Sequence, residues 1–450
     1  MKHHKILIYF CFAILSLLAG CEKFLEEKSQ ASYAVPEKVS DLQAMLDNES
    51  FLNTLDPGAG EVTNPDYYLL DATWSSLSSE YDRRMYAMDR ANIFEPANND
   101  WSYVYRVVNI ANTVLDALPK VRQDNGQLQW NSVKGQALFF RAKGFLQALG
   151  IWSPAFRADA VQETAGIPLR LNSNFNERSV RSSVSESYQQ VILDLRTAAS
   201  LLPNTQITAL RPSKAAAFGM LARAYLLMRD YTSAELYADS CLRINANLLS
   251  FSSLNAAATF PISRFNTEVV FESYIPSPLP LSQSRAKIVP ELYNSYQAND
   301  LRKTVFFRTN TDGSFAFKGS YEGGAVLFSG IATDEMYLIR SECRARGGKL
   351  QEALDDLNNL LRTRYNTSFA ALQIGDQATM VNRIIMERRK ELLMRGLNWV
   401  DIKRLNAEGR QISITKTING VTRSLAPNSG GFALPIPEDV IVLSGMEQNP

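Results

Sequence analysis

Histidine is nearly absent from this chain. Its 450 residues include only two, His3 and His4, and both lie within the first five positions. Lys2, Lys5 and the apolar run at 6–18 form the layout of a secretory signal, which is removed on export. A mature chain without that segment has no histidine. This excludes serine–histidine and cysteine–histidine catalysis, as well as histidine-ligated metals.

Cysteine, excess charge and long apolar runs are scarce too. The formal net charge is +1, so no basic excess indicates binding to nucleic acid or to an anionic lipid surface. No internal run is long and apolar enough to cross a bilayer as a helix. Of the four cysteines, Cys241 and Cys343 fall in predicted helices, where we expect small buried residues. Whether these two form a disulfide stays open at the level of sequence.

The apolar run ends in a recognisable processing signal. Leu18-Ala19-Gly20-Cys21 resembles the lipobox of a bacterial lipoprotein, which predicts a signal peptide at 1–20 and lipidation of Cys21. A triacylated cysteine supplies more than the single acyl chain that holds a membrane only marginally. The alternative is a membrane-spanning anchor, for which the run is short. Residues 21–34 are polar and predict an acidic flexible tether.

Helical periodicity dominates the rest of the chain. Amphipathic helices are predicted at 101–120, 132–152 and 183–203. Ser185 is the expected N-cap of the last one. Two helix–turn–helix units, at 214–244 and 334–366, carry large and small residues at the positions of a tetratricopeptide repeat. The predicted fold is mostly α, with about four tetratricopeptide-like helical hairpins stacked into a partial solenoid scaffold.

The helical scaffold is predicted at roughly 101–244 and 334–405. Long loop-rich insertions interrupt it. The insertions, roughly 51–100 and 245–333, are rich in loop-forming and aromatic residues. Ordered loops on a rigid scaffold tend to carry function, so we expect the ligand side of the molecule there. Residues 35–450 are predicted to form a single domain.

Short hairpins and one charged stretch complete the pattern. Hairpins are predicted around Asp312-Gly313 and Asn419-Gly420, since these dipeptides favour tight turns. The stretch "ERRKELLMRGLNWVDIKRL" at 387–405 alternates acids and bases. We interpret it as a structural helix with a Glu391–Arg395 pair one turn apart and Gly396 as its C-cap. A catalytic role lacks a histidine or metal-ligand cluster, and a nucleic-acid role lacks a wider basic excess.

A set of sequence landmarks stands in a fixed order along the chain. They are the lipobox at Cys21, "WSYVYRVVNIANTVLDAL", "GQALFFRAKGFLQALGIW", "GIPLR", "AYLLMRDYTSAELYAD", "NDLRKTVFF", "EMYLIRSECRARGG", the 387–405 stretch and "LPIPEDVIVLSGMEQNP". Each landmark is weak alone. The ordered set covers nearly the whole mature chain and resembles the SusD/RagB family of Bacteroidetes outer-membrane lipoproteins.

The resemblance implies a nutrient-binding role at the cell surface. Such a protein is held on the outer membrane by the lipid at Cys21 and faces the cell exterior. It captures an oligosaccharide, or in some members a peptide or other ligand, and hands it to a SusC-like TonB-dependent transporter. No catalysis, cofactor or metal is implied. Glu22, Glu26 and Glu27 resemble the acidic cue that directs these lipoproteins to the exterior.

Ligand residues are sought among loop aromatics, because sugar rings stack on flat side chains while their hydroxyls bond carboxylates and guanidinium groups. The segment 64–86 is the richest in such residues. The candidate ligand residues are Tyr67, Tyr68, Trp74, Tyr81, Asp82 and Arg83, with Tyr274 from the second insertion. The competing interpretation is that these rings pack the loop onto the helices.

Two other classes of function stay open. A glycoside hydrolase needs only two carboxylates at a suitable separation, and the chain has 46 acidic residues from which no local signature selects a pair. A helical-repeat adaptor that binds only protein is the other, and the lipobox and aromatic loop count against it. A phosphate-binding loop is absent from the sequence, because Gly58-Ala59-Gly60 is too short for one.

Overall fold

A computed structural model of the protein describes residues 35–158 and 164–450. The predicted signal peptide, the lipidation site Cys21 and the tether lie outside the described residues. Helices make up about half of the described chain, and its strands form short antiparallel pairs. The predicted fold class is confirmed.

Short elements form the N-terminal part. They are α1 (Val39–Leu46), α2 (Glu49–Leu52), α3 (Ala59–Val62), β1 (Tyr67–Tyr68), α4 (Asp71–Ser75) and α5 (Glu80–Tyr86). Helix α3 contacts α5, and Asp100 tethers the start of α3 by accepting a 2.7 Å hydrogen bond from the Ala59 N–H.

The first half of the scaffold follows. Its elements are α6 (Asp100–Ala117), α7 (Gly126–Trp152), β2 (Ala165–Pro168), β3 (Arg181–Ser183), α8 (Val184–Leu201), α9 (Lys214–Met228) and α10 (Tyr231–Leu242). Each helix from α6 to α10 packs against the next one in the chain. Gly144 permits the close approach of α6 and α7, because a Cβ there would lie 2.7 Å from Cγ2 of Val108.

An insertion of mostly irregular backbone separates α10 from the rest of the scaffold. Its elements are β4 (Val269–Phe271), β5 (Tyr274–Ile275), β6 (Lys287–Ile288), α11 (Pro290–Asn294), α12 (Arg302–Val305), β7 (Phe307–Thr309), β8 (Phe315–Phe317), β9 (Leu327–Phe328) and β10 (Ile331–Ala332). Strand β4 pairs with β10 and β5 pairs with β9, so the two ends of the insertion are held together.

The scaffold then resumes. Its later elements are α13 (Thr333–Arg346), α14 (Leu350–Arg364), α15 (Gln377–Glu391), α16 (Asn398–Asn406), β11 (Ile414–Ile418), β12 (Val421–Leu425) and α17 (Glu438–Ser444). Helix α13 packs against α10, α14 and α15, so the stack continues across the insertion. The solenoid is thus continuous in space although it is interrupted in sequence.

Two helix starts differ from the sequence prediction. Helix α7 begins at Gly126 rather than at residue 132. The N-cap of α8 is Ser183, not Ser185: the Ser183 hydroxyl accepts from the Glu186 N–H (3.1 Å), and the Glu186 carboxylate accepts from the Ser183 N–H (2.8 Å). This reciprocal pair is a capping box, which needs a glutamate or glutamine three residues after the serine. Ser183 meets this requirement through Glu186.

Both predicted hairpins are confirmed. Strands β7 and β8 pair across the turn at Asp312-Gly313, and β11 and β12 pair across Asn419-Gly420. The latter turn has positive φ at both central residues, +50° and +75°, as an Asn-Gly turn requires. Cys241 and Cys343 are free buried thiols, which confirms the small-residue interpretation.

The charged stretch at 387–405 is structural, although its pairing differs from the prediction. Helix α15 ends at Glu391, and Met394 has φ +58°, so Arg395 has left the helix and bonds Asp334 instead (2.6 Å). Gly396 is not the C-cap; it lies in the following turn, where its N–H donates to Glu61 (2.9 Å). Local spacing placed these residues one helical turn apart, and the early end of α15 breaks that spacing.

Candidate ligand-binding surface

Residues from both predicted insertions meet on one surface. Strand β1 pairs with β6, which places Tyr67 opposite Ile288 and Tyr68 opposite Lys287. The short 3-10 helix Leu279–Leu281 contacts both α3 and α5. Segments about two hundred residues apart in the chain therefore form one face. We call the loop 68–86 together with 282–288 the loop surface.

Tyr67 points away from the loop surface. Its side chain is 2% exposed, its hydroxyl donates to the Val62 carbonyl (2.7 Å), and Lys416 Nζ lies 4.4 Å from its ring centroid. Successive residues of a strand point to opposite faces, so Tyr68 is the one that remains half-buried. The Tyr67 ring packs the loop onto the core, and its predicted ligand role stays a prediction.

Trp74 and Arg83 hold the loop in shape. The Trp74 Nε1–H donates to the Arg83 carbonyl (3.1 Å), and the Arg83 guanidinium donates to the Leu77 carbonyl. Arg83 thus donates to the backbone of its own loop, and its predicted ligand role stays a prediction. Trp74 is only partly buried, so its ring is fixed at one edge and accessible elsewhere.

Tyr81 and Asp82 lie in α5, beside Arg285 of the second insertion. The Asp82 N–H donates to the Ser79 hydroxyl (3.2 Å), which caps the helix. Within the described residues the Asp82 carboxylate itself accepts no hydrogen bond and forms no ion pair. Partial burial raises its pKa, and the nearby Glu95 carboxylate adds to this rise, while the Arg285 guanidinium opposes it.

Arg285 is a residue that sequence reasoning missed. Its Nη1 donates to the Ser282 hydroxyl (3.1 Å), and the other guanidinium nitrogens are free of ion pairs within the described chain. Its only sequence signal is its place in the Ser- and Pro-rich insertion, which does not single it out. Its position beside Asp82 depends on the 3-10 helix docking onto α5.

Lys287 and Tyr274 lie at the borders. Lys287 Nζ donates to Asp312 and Ser314 (both 2.7 Å), so the tip of the β7–β8 hairpin adjoins the loop surface. The Tyr274 backbone bonds Asn53 (2.8 Å) and Asp56 (3.2 Å), so this residue lies beside the chain leading into α3. Tyr274 is half-buried, and its predicted ligand role stays a prediction.

Chemically, the loop surface combines half-buried aromatic rings with carboxylate and guanidinium groups, among them those of Asp82 and Arg285. It offers hydrogen-bond acceptors and donors next to flat apolar faces. Across 35–158 and 164–450 no group of three or more histidine, cysteine, aspartate and glutamate side chains could hold a metal ion. Within the same ranges no helix is long and apolar enough to span a membrane.

The fold and this surface together define a helical-repeat protein whose insertions carry a mixed aromatic and polar face. The family model described as "starch-binding associating with outer membrane" matches residues 23–226, and the "SusD family" model matches residues 333–450. The chain belongs to the SusD/RagB family.

Individual relatives agree with this assignment. A SusD-like protein P2 of Formosa agariphila is 27% identical over 135 residues, which is 30% of this chain and 25% of that protein. The match therefore spans a quarter of that relative's length. This partial match supports membership of the family only.

Solved structures share the fold over most of the chain. A putative sugar binding protein of Bacteroides vulgatus superposes with a TM-score of 0.76 at 19% identity, covering 93% of this chain and 99% of that one. A SusD superfamily protein of Bacteroides thetaiotaomicron gives 0.75 at 19% identity, covering 92% and 100%. At this identity the likeness concerns the fold alone.

Proposed function

We propose that the protein binds an oligosaccharide on its loop surface. The observation that carries the proposal is the Asp82 carboxylate, which is partly buried, lacks an internal hydrogen-bond donor and lies beside Arg285. Sugar hydroxyls donate to carboxylates and accept from guanidinium groups. Tyr81 and Trp74 supply flat faces against which the apolar C–H side of a sugar ring packs.

The proposed setting is the outer membrane. The lipobox predicts a lipid anchor at Cys21, and the matching family description includes association with the outer membrane. We propose that the anchored protein faces the cell exterior and delivers its ligand to a SusC-like TonB-dependent transporter. A peptide or other non-glycan ligand is the alternative for the same role, since a carboxylate and a guanidinium also bond peptide groups.

The remaining alternatives have narrower support. For a glycoside hydrolase, the candidate partner of Asp82 is Glu95. Burial is the main cause of the raised pKa of Asp82, and the Glu95 carboxylate raises it further; a hydrolase would use such a pair as acid and base. A protein-only adaptor leaves the half-buried Tyr81 and the unpaired Asp82 carboxylate unexplained. We therefore favour binding without turnover.

A glycan array probed with the chain from residue 22 onward tests ligand class, with a peptide library as the parallel arm. For the tightest ligand found, calorimetry on Asp82→Asn is expected to show affinity weaker by about 10–100-fold, because a charge-assisted hydrogen bond is lost. Tyr81→Ala is expected to weaken binding as well. Chromatography of the ligand after incubation detects turnover, which would favour the hydrolase.

Phe175→Ala is the matched control for Tyr81→Ala. Phe175 is an aromatic residue that is 88% exposed and lies in a separate groove beside α6. The proposal requires the Phe175 variant to bind normally. Normal binding by Tyr81→Ala and Asp82→Asn combined with weak binding by Phe175→Ala would instead place the ligand at α6.

The anchor and the partner need separate tests. Cys21→Ala is expected to abolish incorporation of labelled palmitate, whereas Cys11→Ala, within the same predicted signal, leaves it intact. Co-purification from outer-membrane extracts tests the transporter. Its consistent absence from extracts in which the protein itself is lipidated would count against delivery to such a partner.

A further inference from the structure

A pocket separate from the loop surface lies between α15 and α16. Val289, Glu291, Ile412 and Ser413 are among the residues that line it, and its volume is about 440 Å³. That volume is within the range of small-molecule sites, roughly 300–1,000 Å³. None of its lining residues belongs to the loop surface, so it is a separate site.

Arg388 supplies a buried hydrogen-bond donor to this pocket. Its side chain is 2% exposed; Nε donates to Asp401 (2.7 Å), and Nη2 lies 3.7 Å from Glu335. Its Nη1 is buried and has no acceptor within the described residues. Buried donors without an acceptor are costly, so a ligand that brings an acceptor oxygen gains more here than at the surface.

Asn398 offers the complementary group. Its Nδ2 donates to both Asn64 and Asp66 (2.8 Å each), which fixes the amide orientation. The amide oxygen of Asn398 is then available to accept a hydrogen bond from a ligand. One donor from Arg388 and one acceptor from Asn398 therefore line the same pocket.

The three arginines that line the pocket are already paired with carboxylates. Arg389 bonds Asp66 at 2.7 Å, and Arg404 bonds Glu342 at 2.7 Å as well as Asp401 at 2.7 Å. Asp401 also neutralises Arg388. A negatively charged ligand would lose its hydration without meeting an unpaired cation. Glu291, which also lines the pocket and forms no ion pair within the described residues, would repel it, so an uncharged acceptor is favoured.

The remaining walls are aliphatic. They are formed by Ile385, Leu392, Ile402 and Leu405, with Met386, which is 54% exposed, among the residues that border solvent. Such walls favour a branched aliphatic group over a polar one.

We propose that this pocket is a second binding site for a small uncharged ligand that carries an amide group on an aliphatic body. The ligand's carbonyl oxygen accepts from Nη1 of Arg388, its amide N–H donates to the Asn398 oxygen, and its aliphatic group packs between α15 and α16. The proposal is independent of the function proposed for the loop surface.

Titration of the purified protein, followed by nuclear magnetic resonance, tests the ligand class. The probes are N-acetylleucine amide, N-acetylleucine and N-acetylglycine amide. The first is expected to bind saturably, and the glycine compound to bind about tenfold or more weaker because it lacks the aliphatic group. The carboxylate compound is expected to bind weaker than the amide. Equal or tighter binding of the carboxylate overturns the choice of an uncharged ligand.

A pair of tryptophan variants locates the binding. Ser413 is exposed and lines the pocket, whereas Gln411 is exposed two residues away and does not. Ser413→Trp is expected to fill the pocket and lower affinity for N-acetylleucine amide about tenfold or more, while Gln411→Trp leaves it unchanged. Equal effects of the two variants overturn the location. Failure of all three probes to bind shows that the pocket holds water only and overturns the proposal.

Discussion

Removal of Arg302 tests whether the charged stretch is a structural element. The Arg302 side chain is 0% exposed and bonds three carboxylates: Asp300 (2.7 Å), Glu387 (2.6 Å) and Glu391 (2.9 Å). Arg302→Met keeps the aliphatic volume and leaves these buried carboxylates short of one cation. Lys390, 3.2 Å from Asp300, compensates only in part.

Removing one partner of a buried ion pair costs about 3–5 kcal/mol, because the other charge stays buried without compensation. At an m-value of about 3 kcal/mol/M in urea, the unfolding midpoint is expected to fall by about 1–1.7 M. The assay is urea unfolding followed by circular dichroism at neutral pH.

Arg243→Met is the matched control for this measurement. Arg243 is also paired with an aspartate at 2.7 Å, but its side chain is 80% exposed. A solvent-exposed pair contributes about 0–1 kcal/mol, so the midpoint is expected to change little. If Arg302→Met lowers the midpoint no more than Arg243→Met does, the buried ion pairs of Arg302 with Glu387 and Glu391 do not stabilise the fold and our reasoning fails.

Three further outcomes follow from the structure. Burial raises the pKa of Glu322 from its ordinary value of 4.5 to about 7. The free energy of unfolding is therefore expected to fall as pH rises from about 4.5 to about 7, and in Glu322→Gln the urea midpoint is expected to fall less over that range. A Cβ at Gly330 would lie 2.0 Å from the Phe271 carbonyl oxygen, so Gly330→Ala is expected to lower the free energy of unfolding by about 1–3 kcal/mol. A Cβ at Gly375 meets no atom within 4 Å, so Gly375→Ala is the control and is expected to leave the urea midpoint nearly unchanged. Because the pKa of Asp82 is raised, ligand affinity is expected to fall as pH is lowered through that pKa, and calorimetry on Asp82→Asn should show no such dependence.

The scaffold could be predicted from sequence because its signals are local. Helical periodicity, the turn at Asp230 and the Asn419-Gly420 hairpin each depend on residues close in the chain. The pairing of Arg395 could not be predicted in this way. Its true partner, Asp334, lies 61 positions away on another helix and becomes available only when α15 ends early.

The loop surface shows the same limit. The sequence indicates that 64–86 is rich in aromatic residues, yet it does not indicate which ring faces solvent. Strand β1 is two residues long, so no alternating pattern marks Tyr67 as buried and Tyr68 as partly exposed. Arg285 joins the surface through tertiary contacts, which leave no local signal in the sequence.

The ion network around Glu387 and Glu391 is physically linked to the loop surface. Arg302 belongs to the second insertion, and Arg364 of α14 bonds both Glu391 of α15 (2.6 Å) and Glu268 at the start of that insertion (2.8 Å). The ion network therefore holds the insertion against the scaffold at Glu268 and again at Arg302. Strand β6 and Arg285 lie between these two attachments, so buried charges fix this part of the insertion together with the short β1–β6 pair. The buried charges around the 387–405 stretch therefore help to fix the surface on which we propose that an oligosaccharide binds.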